Sequence, residues 1–225
     1  MRAYLSDMRQ DLHDTGLYPI RGVLMEALPL AFSTGWASGV NAYACVLLLG
    51  LLGRFADVEE VPHALTRTPV IIAAAVLFVL EFVTDKIPYV DSTWDAISTA
   101  IRPTVGAVIG LLIANDSTTL PAAVLAATGG LTALVSHLIK GSLRLAINTS
   151  PEPVSNIAVS SGEDITVAGV VTLAVYHPVA AAIIAALLLL IGAVLAFFAI
   201  RAIRRGLARF RAWRAGRATG SEGTA

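Results

Sequence analysis

From Ile165 to Ile200 the chain runs for about 36 residues without one Asp, Glu, Lys or Arg. An α-helix rises 1.5 Å per residue and needs about 20 apolar residues to cross roughly 30 Å of hydrocarbon, so this stretch overshoots one straight crossing. It must bend, tilt or divide. His177-Pro178 is the obvious breakpoint, because proline removes a backbone donor and clashes with the preceding turn. A segment over 163–177 followed by a full span over 178–200 is the expected outcome. The first of these, at about 15 residues, is short enough to be re-entrant.

The rest of the chain agrees with a membrane solvent. It is 56% hydrophobic and 14% charged, with a mean hydropathy of +0.74, whereas soluble domains carry roughly 25% charged residues. The zero net charge hides an asymmetry: Arg201, Arg204, Arg205, Arg209, Arg211, Arg214 and Arg217 crowd the C-terminal tail. Positive charge after a final span marks the cytoplasmic side, so a multi-pass protein of the cytoplasmic (inner) membrane is expected, with a cytoplasmic C-terminus. The lone Cys45 cannot form an intrachain disulfide. Residues 1–22 carry Asp7, Asp11 and Asp14 and lack the apolar core of a cleavable signal, so they are expected to be interfacial or soluble.

An all-α, polytopic bundle of about six membrane segments follows. Candidate spans are 24–53, interrupted by Gly35 and Gly39; 69–85, opened by Pro69; 96–115, carrying Arg102-Pro103; 121–144, broken by Gly129-Gly130; then 163–177 and 178–200. The transmembrane domain is 23–201, and 202–225 is a basic cytoplasmic tail. Six crossings, the preferred count, place both termini in the cytoplasm together with Lys86, Arg102, Lys140 and Arg144, and five move those four residues outside. A weak echo at an offset of 90 residues (Gly39 and Gly129, Arg54 and Arg144, Pro88 and Pro178) suggests a three-plus-three inverted repeat, the architecture of many secondary transporters. The abundance of Gly, Ala and Val makes short coincidences common.

Charges inside spans cost from about 2.5 kcal/mol upward unless they face a partner or a wet cavity, so each is a site hypothesis. Glu81 and Asp85 stand four apart on one helical face, with Lys86 next to them, and Asp91 and Asp95 repeat the spacing beyond Pro88. Such carboxylates bind a hard cation or exchange protons; Glu81 and Asp85 are the metal ligands if there is one. The plain alternative is an interfacial Asp85 paired with Lys86, and Asp91 and Asp95 capping the next helix. His137, Lys140 and Arg144 fall at i, i+3 and i+7 on one face. They can receive an anion, pair with the acidic face, or simply snorkel to headgroups. Arg102 needs a counter-charge from Glu81, Asp85 or Asp91, since an unpaired buried charge is disfavoured. The string Asn148 to Asn156, with Pro151 and Pro153, reads as a stiff polar loop, either a connector or a lining of the site. Glu163-Asp164 suits a helix N-terminus.

Taken together, Gly39-Val40-Asn41-Ala42, Glu81 with Asp85-Lys86-Ile87-Pro88 and Asp91, Arg102-Pro103, Gly129-Gly130, His137 with Lys140 and Arg144, Asn148 to Asn156 and Glu163-Asp164 resemble DUF4126, a family of bacterial integral membrane proteins. The resemblance covers about residues 30–200. It implies that these polar residues, Asn41 included, form the site, and it implies no substrate.

Three function classes follow. The leading one is a small transporter or channel, proton or cation coupled. The second is a lipid-phosphate translocase or lipid-processing enzyme, with the basic face holding phosphate and Glu81 or Asp85 as base. The third is a structural protein whose charges lock helices together. No nucleophile elbow, P-loop, haem motif or cysteine pair is present, which weighs against an enzyme and calls for no cofactor. Expected partners are the bilayer, a small ion, anionic small molecule or lipid headgroup, and a second copy of the chain; no nucleic acid is expected.

Overall fold

The protein is described by a computed structural model over residues 17–56, 58–87, 90–114, 119–147 and 153–220. The first 16 residues, Pro88 and Asn148 lie outside the described residues, as does the side chain of Asn156. The described chain is all-helical, with seven helices: α1 Leu17–Val40, α2 Ala42–Phe55, α3 Thr68–Thr84, α4 Val90–Ile113, α5 Thr119–Ile147, α6 Pro153–Tyr176 and α7 Pro178–Gly220. Four stretches are long and apolar enough to cross a membrane: Thr93–Ile113, Thr119–Ile147, Ile157–Tyr176 and Pro178–Arg214. Ala42–Phe55 and Thr68–Thr84 are shorter apolar helices.

Burial is inverted relative to a water-soluble fold. Ile72, Val76, Val79 and Val83 on α3 and Leu187, Leu190, Ile191 and Val194 on α7 are exposed, while Glu81, Asp91, Arg102 and Arg144 are at most 1% exposed. Apolar side chains facing outward and charges facing inward fit a hydrocarbon solvent, where only the charges need shelter. The chain is a multi-pass membrane protein.

α5 is the axis of the bundle. α1 runs parallel to it, since Gly35 meets Gly129 and Gly39 meets Ala133 and Ser136. α4 runs antiparallel, with Gly110 against Leu125 and Gly106 against Gly129. A Cβ on Gly39, Gly106 or Gly129 would collide with a neighbouring backbone carbonyl. The two four-residue glycine spacings, 35 to 39 and 106 to 110, thus let three helices approach to backbone contact, the usual packing device in lipid, where dispersion rather than hydrophobicity holds helices together.

Several expectations need correction. The stretch 24–53 is not one span: the chain reverses at Asn41, and Cys45 Sγ lies 3.5 Å from Thr34 O, while Leu49 packs beside Leu30 and Thr34. Gly35 and Gly39 do not interrupt it; both lie within α1 at its contact with α5. Gly129-Gly130 leaves α5 unbroken, because the missing side chains serve close packing rather than a bend. The segment expected over 163–177 begins at Pro153 and is 24 residues long. Glu163 and Asp164 therefore lie inside α6 rather than at its N-terminus, and Pro153 to Asn156 is helical rather than loop. α6 and α7 meet at His177, with Pro178 opening α7, where its missing N–H costs no hydrogen bond. α7 does not stop near residue 200. It continues for 43 residues, about 65 Å at 1.5 Å per residue, so most of the arginine-rich tail is helical.

Candidate functional site

The reversal at Asn41 explains where the charges gather. α1 ends in a membrane-like interior with unsatisfied carbonyls, and these need donors. Lys140 Nζ donates to Val40 O at 2.9 Å and Arg102 Nη1 to Gly39 O at 3.4 Å, two cations at the negative end of the α1 dipole. Asn41 then starts α2: its side-chain oxygen accepts from Ala44 N at 2.9 Å, and its extended backbone, φ −149° and ψ 99°, is that of an N-cap. Asn41 Nδ2 donates to Asp164 Oδ1 at 3.1 Å. The hairpin tip is thus clamped by α4, α5 and α6 together. Asn41→Ala is expected to cost about 1 kcal/mol for the cap. A double-mutant cycle with Asp164→Ala, followed by thermal unfolding in detergent, should show coupling beyond 0.5 kcal/mol.

Around this tip lies one continuous set of ion pairs. Arg102 Nη2 meets Glu81 Oε1 at 2.6 Å and Asp95 Oδ1 at 2.9 Å. Lys140 Nζ meets Asp85 Oδ2 at 2.9 Å, Glu163 Oε2 at 3.4 Å and Glu81 Oε1 at 3.9 Å. Arg144 reaches Glu163 Oε2 at 2.7 Å, and Asp85 Oδ2 and Asp91 Oδ2 at 3.3 Å. It also donates to the Asp85 backbone carbonyl at 2.8 Å. Lys86, less buried, stands 3.7 Å from Asp164 Oδ2, donates to Ser160 Oγ and sits over the Phe82 ring.

His137 is held by hydrogen-bond logic. Arg102 can only donate, and its Nη1 lies 2.8 Å from His137 Nδ1, so that nitrogen accepts. The Thr99 hydroxyl gives its proton to Asp95 O, leaving Oγ1 to accept from His137 Nε2 at 3.0 Å. The ring is therefore neutral, with its proton on Nε2.

Of the residues singled out in the sequence, Asn41, Glu81, Asp85, Lys86, Asp91, Arg102, His137, Lys140, Arg144, Glu163 and Asp164 come together. Asn148 lies outside the described residues. Snorkelling of Lys140 and Arg144 is overturned, since both are buried and their charges are consumed internally. Asp91 stands in the first turn of α4, yet its carboxylate pairs with Arg144. Arg102 takes Glu81 and Asp95 rather than Asp85 or Asp91. Asp95, paired with Asp91 by its four-residue spacing in the sequence, is thus the counter-charge not expected for Arg102; its seven-residue spacing to Arg102 puts both on one face and is the available signal. The backbone carbonyls of Gly39 and Val40 carried no signal in sequence. Glu81 and Asp85 spend oxygens on Arg102, Lys140 and Arg144, and among the described residues no group of three potential metal ligands assembles.

Two cavities flank the ion-pair layer on opposite sides of α5. One, of about 290 Å³, includes Asp95, Thr99, His137 and Arg144 in its wall. The other, of about 280 Å³, includes Trp36, Lys140, Glu163 and Leu189. The family model described as "Domain of unknown function (DUF4126)" matches residues 28–198, a range containing every residue of the cluster. No curated protein and no solved structure matches the chain.

Proposed function

We propose, for a chain that belongs to the DUF4126 family, a small membrane transporter in which a buried site at the tip of a re-entrant helical hairpin loads a cation or protons. One observation carries this reading. The cluster contains six carboxylates (Glu81, Asp85, Asp91, Asp95, Glu163, Asp164) and four cations (Lys86, Arg102, Lys140, Arg144), and a neutral His137 adds nothing. Two negative charges in excess in a largely buried cluster call for neutralisation by protons or a bound cation. Glu81 Oε2 and Asp95 Oδ2 are buried without a hydrogen-bond partner among the described residues, which supports sites for such a charge.

Helix directions favour five crossings, α3 to α7, with α1 and α2 entering and leaving on one side. Placing the arginine-rich end of α7 in the cytoplasm by the positive-inside tendency puts the start of α1 on the opposite face. A helix pair that reverses among ionisable groups is a recurring way to line a membrane site, because irregular backbone is tolerated only where protein or water satisfies it. The phosphate-handling reading has less support: Lys140 and Arg144 already spend their donors on carboxylates and carbonyls.

The test is flux in proteoliposomes under an imposed proton or cation gradient. Wild-type protein should move charge, and Glu81→Gln and Asp85→Asn should reduce the rate at least about ten-fold while folded yield is retained. Flux that persists in both variants would remove these carboxylates from the mechanism. If both lose only folding yield, with unchanged activity per folded molecule, the charges serve the fold alone.

A further inference from the structure

We infer that the cavity between α1, α5, α6 and α7 binds a small organic cation, a protonated amine with an apolar body. The inference rests on the cation-coupled reading and names its substrate class. Trp36, Ile139, Leu143 and Leu189 form the apolar wall of this cavity, and its volume of about 280 Å³ falls just below the roughly 300–1,000 Å³ of sites for drug-sized ligands. A molecule with a few carbons and one polar end fits.

The polar end is chosen by what the wall has left to offer. Lys140 donates to Val40 O and Asp85 Oδ2 at 2.9 Å and forms an ion pair with Glu163 Oε2 at 3.4 Å. The Ser136 hydroxyl donates to Trp36 O at 2.9 Å, and the Thr166 hydroxyl donates to Gly162 O at 2.7 Å. The charge of the ammonium is therefore met by the protein's own carboxylates, and both hydroxyls are spent as donors. Glu163 is different. Its contacts with Lys140 and Arg144 fall on Oε2, its Oε1 makes no ion pair or hydrogen bond among the described residues, and the side chain keeps 19% exposure, the most of any carboxylate in the ion pairs. A wall with a free carboxylate oxygen and spent donors recognises a donor. An anion or a bare acceptor would bring no donor to Glu163 Oε1, a desolvation cost without return. The surplus of two negative charges behind Glu163 gives the donor its sign: a cation is attracted where a neutral alcohol gains only one hydrogen bond.

The chain supplies a discriminating variant. Gly162 lines the cavity, and an added Cβ there meets nothing within 4 Å, so Gly162→Leu starts a bulky side chain at the cavity wall without a clash at Cβ and improves local helix propensity. Full-length protein in lipid nanodiscs should bind butylammonium saturably at constant ionic strength, read by calorimetric titration, and should not bind butanol or butanoate. Gly162→Leu should abolish binding while melting at or above the wild-type temperature. Glu163→Gln should weaken it by about ten-fold, the loss of one charge-assisted hydrogen bond. Butanoate binding, undiminished butylammonium binding by Gly162→Leu, or no saturable butylammonium binding by the wild type would each overturn the assignment. In the last case, proton-driven flux that is lost in Glu81→Gln would leave the cation-coupled reading standing and remove only the amine.

Discussion

Arg102→Met should unfold more readily than any exposed-arginine variant, with a loss of about 3–5 kcal/mol, the range found when one partner of a buried ion pair is removed. The guanidinium is 1% exposed and holds Glu81, Asp95, His137 and the Gly39 carbonyl at once. Removing it leaves two carboxylates facing each other with no counter-charge nearby except Lys140. The cost lies mostly in what is stranded, so adding Glu81→Gln and Asp95→Asn to Arg102→Met should recover a large part of it. Arg205→Ala, on the exposed face of α7, should leave the unfolding transition unmoved. Thermal unfolding in detergent, followed by circular dichroism, checks all three. An Arg102→Met protein as stable as wild type would mean that the ion-pair layer contributes nothing to the fold.

Gly39→Leu should separate the hairpin from α5. A Cβ at residue 39 runs into Ser136 Oγ and the Ala133 carbonyl; the hydroxyl can rotate away, but the backbone cannot. Overpacking of this kind costs about 1–3 kcal/mol where a core can shift, and more is expected here because the obstacle is main chain. Displacement of the tip also withdraws Val40 O from Lys140 and Asn41 from Asp164, so the variant should lose site function as well as stability. Gly169→Ala is the control: its Cβ meets nothing within 4 Å, and exchanging Gly for Ala in a helix favours the helix by up to about 1 kcal/mol. Comparing the two melting temperatures decides the matter, and equal stability would show that the α1 and α5 backbones can part at no cost.

Much of this arrangement could be read from the chain because lipid imposes simple rules. Apolar length marked the helices, and the spacing of His137, Lys140 and Arg144 placed them on one inward face. Glu81 and Asp85 stood out because a carboxylate ending an apolar run is costly. The reversal at Asn41 is not legible: Leu24 to Gly53 is apolar on both sides of the turn, and the groups that stabilise the tip come from residues 63 to 123 positions away. In sequence the glycines look like interruptions, although their four-residue spacing is equally the mark of close helix contact, and only the facing carbonyls decide between the two. The start of α6 was misplaced for a related reason. Glu163 and Asp164 suit a helix N-terminus, and only the cations brought alongside by α3 and α5 make them tolerable inside the helix. Partner choice for Arg102 depended on which carboxylate the fold delivered, and Asp95 was on the same helix face from the outset.

The surplus of buried negative charge is the claim on which transport and the amine site both depend, and infrared spectroscopy of the reconstituted protein tests it most directly. At neutral pH, without an added binding cation, the wild type should show absorption from protonated carboxyl groups that is reduced in Glu81→Gln or in Asp95→Asn. Supplying a cation that loads the site should diminish that band as protons leave. A cluster with all six carboxylates ionised and no cation bound would contradict the account.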